Sequence, residues 1–210
     1  MDDKIKSVPG AFEANATQGE SNHLFPVFLK LENLSLLIVG GGYVAFEKLS
    51  VVLQNSPAAK IRLVATVISN EIRNFVAGKN NVQLIERPYE KDDIAAADIV
   101  IAAVNDFNVS LRVCKDAKEN GKLINAADKP DLCDFYLGSI VQKGNLKIAI
   151  STNGKSPTIA KRMKEVLNET LPDEINTLLD NMQQIRNKMS GDFAEKVKQL
   201  NEITKKLSEE

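Results

Sequence analysis

Leu36-Leu37-Ile38-Val39-Gly40-Gly41-Gly42-Tyr43-Val44-Ala45 is the stretch whose reading decides the fold. Four apolar residues have the character of a buried strand, three glycines make a turn, and Tyr43 opens a segment with helical spacing. A dinucleotide site needs that order. The first glycine permits the tight turn, and the second lets the backbone approach a pyrophosphate. A small third residue allows close packing of helix on strand, and the helix N-terminus offers free N–H groups to the anion. Gly40, Gly42 and Ala45 keep the G-x-G-x-x-G/A spacing. A bare glycine triplet would also suit an ordinary turn; the flanking strand and helix favour the nucleotide reading.

Outward from this turn, short apolar runs alternate with helical segments. The expected strands are Leu36–Val39, Ile61–Ala65, Val82–Glu86, Ile99–Ala103 and Leu123–Asn125, with helices at Val44–Gln54, Ser69–Ala77 and Val109–Asn120. Such alternation predicts an α/β fold with a Rossmann-like, doubly wound parallel sheet. Ligands in these sheets bind outside the carboxyl ends of the strands. That rule gathers Gly40–Tyr43, Ala65–Thr66, Val104–Asn105 and Asn125–Asp128 around one crevice. The expected cofactor-binding residues are Gly40, Gly41, Gly42, Tyr43, Val44, Ala65, Thr66, Val104 and Asn105.

After Asn125 the period changes. Ser139–Lys143 and Leu146–Ser151, joined by Gly144-Asn145, read as a tight hairpin. Ser156 and Pro157 make a helix start, with serine as cap and proline at the first position, and that helix runs to about Leu171. Asp173 opens a second helix, and Ser190-Gly191-Asp192 breaks it before a last one reaching Leu207. Ile175, Leu178, Leu179, Met182 and Ile185 form a stripe for core or subunit packing. The domains expected are a flexible extension (1–22), a dinucleotide-binding domain (23–125), a small α+β dimerisation region (126–156) and a helical C-terminal region (157–210). The hairpin and helices are too small for an independent core, so a second subunit should cover them.

The acidic residue that holds an adenosine ribose in many such sites, about 20 positions past the glycines, is missing. The second strand ends in Ala65-Thr66. Thr66 can hydrogen-bond a ribose and Arg62 could face a phosphate, which leaves NAD and NADP both open. Asp128, in Asn125-Ala126-Ala127-Asp128-Lys129-Pro130, is a general base or metal-facing carboxylate, or else a turn aspartate that caps the next segment. Asn105-Asp106 carries the same ambiguity on a loop placed to line the cofactor. Ser151-Thr152-Asn153-Gly154-Lys155-Ser156-Pro157 suits an anion, or is a plain helix cap with a solvated lysine. Lys161 and Arg162 read as the wet face of that helix.

Composition excludes other classes. The formal charge of −1 gives no basic field for nucleic acid. No apolar run reaches the roughly 20 residues of a membrane span, and the N-terminus lacks a signal peptide's apolar region, so a cytoplasmic protein is expected. His23 is the only histidine, which rules out histidine metal sites and Ser-His-Asp or Cys-His catalysis. Cys114 and Cys133 have no metal-ligand spacing and read as small buried apolar residues.

Three ordered motifs add a family resemblance. Phe25-Pro26-Val27-Phe28-Leu29, followed by Val39–Ala45 with Lys48, resembles the opening of the precorrin-2 dehydrogenases, the siroheme-synthase N-terminal module that also occurs alone. Asn125–Phe135 resembles that family's second signature. Ser139-Ile140-Val141 together with Ile148–Pro157 resembles its third. The resemblance implies NAD-dependent oxidation of precorrin-2 to sirohydrochlorin, on the way to siroheme, by a homodimer. In several members ferrous iron is a further substrate, inserted into sirohydrochlorin by the same protein. Asp128 matches the family's essential aspartate, the expected catalytic residue. Thr152 falls where some relatives place a serine in the tetrapyrrole cleft, which makes Thr152, Asn153, Gly154, Lys155 and Ser156 the expected substrate-binding residues. Two departures stand out: Glu47-Lys48 replaces Arg-Lys, and Thr152-Asn153-Gly154 replaces Ser-Gly-Gly. The methyltransferase domain fused to this module in some bacteria has no room here. The alternative is a Rossmann-type NAD-binding sensor without catalytic activity, which needs the glycine turn but neither Asp128 nor the Ser151–Pro157 loop.

Overall fold

Consecutive buried aliphatics put β1 (Ser35–Val39) at the centre of a five-stranded sheet. The computed structural model describes residues 21–189 and 192–205. α1 (Tyr43–Asn55) crosses to β2 (Lys60–Ala65), and α2 (Asn70–Val76) leads on to β3 (Val82–Glu86). The chain then returns to β4 (Ile99–Ala102), α3 (Phe107–Glu119) and β5 (Leu123–Ala126). All pairings are parallel, in the order β3-β2-β1-β4-β5. The chain reverses its direction of winding between β1 and β4, and the glycine turn sits at that point.

Alternate side chains of each strand enter different cores, because successive Cβ atoms point to opposite faces. Leu36, Ile38, Leu63 and Ile101 pack under α1 and α2 with Leu49, Val52 and Ile72. Leu37, Val39, Val64, Val100 and Ile124 pack on the opposite face with Val113, Cys114 and Ala117 of α3. Burial on both faces explains why the strands read as short apolar runs without alternation. The expected elements are found to within a residue or two. α3 begins at Phe107, earlier than its apolar spacing suggests, because the Asp106 carboxylate accepts from the N–H groups of Asn108 (2.8 Å) and Val109 (3.1 Å).

A short 3-10 turn at Lys91–Ile94 stands between β3 and β4 where a crossover helix would otherwise run. Asp93, 3 % exposed, anchors it. Its carboxylate accepts two hydrogen bonds from Arg87 (2.9 and 2.7 Å) and one from the Glu90 N–H (3.0 Å). Arg62 donates to the Asp93 carbonyl at 2.5 Å, so Arg62 supports this turn and does not face a phosphate.

Beyond β5, segment 133–135 covers the edge of the sheet. The Asp134 N–H donates to the Ile124 carbonyl (2.8 Å), and the Asp134 carboxylate accepts from the Ile124 N–H (3.1 Å). β6 (Ser139–Lys143) and β7 (Leu146–Ile150) form the expected antiparallel hairpin, with Gly144 at φ +56°. α4 (Pro157–Thr170) starts as expected, its cap Ser156 accepting from the Ile159 N–H at 3.2 Å. α5 (Ile175–Lys188) starts later than Asp173, whose carboxylate is instead paired with the Lys143 ammonium. α6 (Phe193–Thr204) follows an Asp192 cap. The expected flexible extension falls largely on residues 1–20, outside the described residues, as do Ser190, Gly191 and the expected helix end at Leu207. No helix among the described residues is long and apolar enough to cross a membrane.

The buried pair makes a prediction. Burial alone would raise the Asp93 carboxyl, but the Arg87 and Glu90 bonds outweigh it and hold the group below the usual carboxylate range. A depressed folded-state value means stabilisation that is complete above the unfolded carboxylate range and is lost as pH falls through the folded value. Asp93→Ala should cost about 2–3 kcal/mol at neutral pH, below the figure for a fully buried pair because Arg87 is partly solvated. Denaturant unfolding of both proteins should show the gap narrowing at acid pH; a pH-independent gap would contradict the pairing.

Candidate functional site

Two cavities open at the carboxyl end of the sheet. The first, about 660 Å³, is built on the glycine turn. The Gly40 N–H donates to the Val64 carbonyl (2.9 Å), and the Ser69 N–H donates to the Gly41 carbonyl (2.9 Å), tying the turn to the end of β2. Gly40 has φ +131°, and a Cβ there would lie 2.1 Å from the Ala103 carbonyl oxygen. A Cβ on Gly41 would lie 2.1 Å from the Val67 carbonyl oxygen. Gly42 differs: a Cβ there meets nothing within 4 Å, because it points into open space at the head of α1. The first two glycines are demanded by the protein itself, whereas the third leaves room for something else. Ala45 is fully buried and lets α1 lie close on the sheet. A backbone cradle at a helix N-terminus with one glycine facing open space fits a pyrophosphate.

All nine residues expected around the cofactor line this cavity: Gly40, Gly41, Gly42, Tyr43, Val44, Ala65, Thr66, Val104 and Asn105. Asp106 joins them in the wall and caps α3, as the turn-aspartate reading of that loop expects. Sequence reasoning missed Pro88, Tyr89 and Arg112. Arg112 donates to the Tyr89 carbonyl (2.9 Å), and its guanidinium lies 5.2 Å from the centre of the Tyr89 ring. The Tyr89 ring is buried and its hydroxyl donates to Asp116 (2.9 Å); burial first, then that carboxylate, push the phenol well above its ordinary range. Val109 and Arg112 lie three apart on α3, so a helical reading extended from the loop would have found the arginine.

Asn125–Asp128 do not share this cavity, which corrects the single crevice expected from the strand ends. They line a second one, about 460 Å³, with Lys129, Pro130 and Cys133. The reason is lateral distance: β5 lies two strands from β1, roughly 10 Å at the ordinary strand spacing. α1 lines both. Tyr43 and Val44 at its start face the first cavity, and Glu47, Lys48, Val51, Gln54 and Asn55 line the second.

Asp128 is exposed in the second cavity at φ +59°, a left-handed conformation that aspartate tolerates better than most residues. It occupies the third position of a turn closed by the Lys129 N–H donating to the Ala126 carbonyl (3.2 Å). Thr152 and Gly154 line the same cavity, while Asn153, Lys155 and Ser156 lie outside its wall. Ser156 caps α4, and Thr152 holds the loop in place: its hydroxyl donates to the Ser156 carbonyl (3.1 Å) and accepts from the Ser156 N–H (3.2 Å). Lys164 also reaches the wall, one face of α4 presenting Pro157, Ala160 and Lys164 in turn. That spacing was readable, although Lys161 and Arg162 drew attention first; both are exposed, and Arg162 pairs with Glu165 at 2.6 Å.

The two cysteines differ. Cys114 is a core residue, as expected. Cys133 is half-buried against the same core, but it also lines the second cavity and is hydrogen-bonded, so the small apolar reading covers only part of its setting. Among the described residues no three His, Cys, Asp or Glu side chains converge to hold a metal ion.

Comparison with known proteins bears on both cavities. Residues 27–139 match the family described as "Putative NAD(P)-binding", and residues 143–169 match "Sirohaem biosynthesis protein central". The chain is 32% identical over 174 residues to the siroheme synthase of Methylococcus capsulatus, covering 83% of this chain and 34% of that protein. It is 35% identical over 174 residues to the siroheme synthase of a Psychrobacter species, with the same coverage of 83% and 34%. The chain thus spans about a third of the length of these relatives. A solved structure, "SirC, precorrin-2 dehydrogenase", superposes with a TM-score of 0.68 at 28% identity, covering 86% of this chain and 89% of that one. The glycine cradle lies within the first family match and the wall of the second cavity draws on both. The chain therefore belongs to the family of siroheme-synthase N-terminal modules and precorrin-2 dehydrogenases.

Proposed function

We propose that this chain oxidises precorrin-2 to sirohydrochlorin with NAD. One observation carries the reading: the first turn of α1 lines a dinucleotide cradle and its later turns line a cavity that presents a carboxylate, so one rigid helix places two ligands side by side. A sensor module would need only the cradle. The siroheme-synthase relatives and the solved dehydrogenase support the substrate class, and the family resemblance favours NAD over NADP.

The oxidation removes one hydride and one proton from the reduced macrocycle. NAD, when bound, supplies the hydride acceptor. Gly40–Tyr43 would hold its pyrophosphate on the α1 N-terminus, with Thr66 toward a ribose. Asp128 takes the proton, being the carboxylate of the second cavity that is carried on a turn at the end of β5. Lys48, Lys129 and Lys164 line that cavity and offer cations to the many carboxylates of the tetrapyrrole. Ferrous iron, where this chain also inserts it, is a substrate that meets the macrocycle beside the same aspartate. A cytoplasmic setting fits a nicotinamide-dependent step.

The working unit in this reading is a homodimer. Between β6 and α6 only Val141 and Ala160 are buried hydrophobics among the described residues. Ile159, Met163 and Val166 meanwhile align on α4 with exposures of 54%, 44% and 52%. A second copy covering that stripe supplies the missing core.

Three outcomes are expected. Gly42→Asp should fold normally, because its backbone is unstrained and its Cβ meets open space. It should nevertheless weaken NAD binding at least tenfold in calorimetry; unchanged affinity would remove the cradle from this account. Asp128→Ala should bind NAD within twofold of wild type yet slow anaerobic conversion of precorrin-2 by about a hundredfold, and near-normal turnover would refute its role. Sedimentation at micromolar concentration should give a dimer mass for the wild type and a monomer mass for Ile159→Glu/Met163→Glu.

A further inference from the structure

We propose that Cys133 is the positioning residue for Asp128: its sulfur clamps both ends of the turn that carries the carboxylate. This rests on the Asp128 reading above. The turn runs Ala126-Ala127-Asp128-Lys129, and the Cys133 sulfur reaches its first and last residues at once. It accepts from the Ala126 N–H at 3.2 Å, and lies 3.2 Å from the Ala126 carbonyl oxygen and 3.3 Å from the Lys129 carbonyl oxygen, either of which can take its S–H. The Asn125 side-chain amide adds a weaker bond at 3.6 Å while donating to the Phe135 carbonyl at 2.8 Å.

The position of β5 explains why a side chain must do this. β5 is an edge strand, so its outward N–H groups have no neighbouring strand to receive them. The Ile124 N–H is received by Asp134, and the Ala126 N–H, two residues on, by Cys133. Ala126 is only 2% exposed, so without the sulfur its N–H would be left buried and unpaired. Loss of that bond would loosen the start of the turn that carries Asp128 at φ +59°. Burial pushes the Cys133 thiol up, which keeps it protonated as a donor. A carboxylate displaced by an ångström loses much of its efficiency in proton transfer.

The test uses the full-length chain with precorrin-2 and NAD under anaerobic conditions. Cys133→Ala should lower kcat about tenfold, with the KM for precorrin-2 and the NAD affinity within twofold of wild type. Cys133→Ser, which can still donate and accept, should recover most of the loss. In an Asp128→Ala background Cys133→Ala should change nothing further, because the group it positions is gone. Should Cys133→Ala fail to fold, Cys133→Val fills the volume without a comparable donor or acceptor and carries the same expected loss. Turnover within twofold of wild type in Cys133→Ala, while Asp128→Ala is slow, overturns this inference alone. So does an equal fractional loss in both backgrounds. Normal turnover in Asp128→Ala refutes the catalytic reading and takes this inference with it.

Discussion

The Ala103 carbonyl oxygen stands where a Cβ at position 40 would have to go, 2.1 Å from it, and most of the site follows from that close approach. β1 and β4 pair directly, so the chain leaving β1 must turn away at once, against the backbone that leaves β4. Only a residue without a side chain can pass, and the same holds for Gly41 against Val67 on the β2 side. The turn is gripped from both neighbouring strands. It delivers the N-terminus of α1 to the gap between the ends of β1, β2 and β4, where unpaired N–H groups face outward. Further support comes from Glu86 at the end of β3, which accepts from the Ile68 N–H at 3.1 Å; that bond, with the help of Arg73, holds its carboxyl below the usual range.

How much of this was legible in the chain depended on how local the determinants are. The cradle is coded by one stretch, Leu36–Ala45, so strand, glycine spacing and helix could be read together, although the atoms that exclude a side chain at Gly40 and Gly41 belong to Ala103 and Val67. The strands were readable because burial on both faces makes them continuously apolar. The second cavity was not readable as a unit. Its walls come from 47–55, 125–140 and 150–164, and no local pattern says that Gln54 in the last turn of α1, a hairpin residue and Lys164 will face one space. The strand-end rule also failed there, since it names the correct end of the sheet without saying how far along the edge a loop lies. Asp173 misled for a related reason: an acidic residue after a proline suggests a helix start, but Lys143 on the hairpin claims it. Composition described only half of Cys133, which packs against the core as a small hydrophobe while the edge of a strand offers its thiol polar neighbours.

The hairpin and α4 are more than an appendage to the nucleotide domain. Lys147 on β7 donates to the carbonyl of Asn55 at the end of α1 (2.5 Å), joining the two sheets through the helix that lines both cavities. The Asp128 side of the site thus depends on a region with little core of its own. In the proposed dimer, substrate turnover and subunit association would share the same supporting surface.

α1 also acts as a ruler. The cradle meets it at Tyr43 and Val44, and the second cavity meets it from Glu47 onward, so the spacing between the two cavities is counted in helical residues. Adding or removing one residue in that interval would advance the helix by about 1.5 Å and rotate it by about 100°. Lys48 would then be carried out of the wall while the glycine turn stayed as it is. An exposed side chain of α1 such as Glu47 can be exchanged without moving the helix, but the interval from Gly42 to Lys48 is not free to change length.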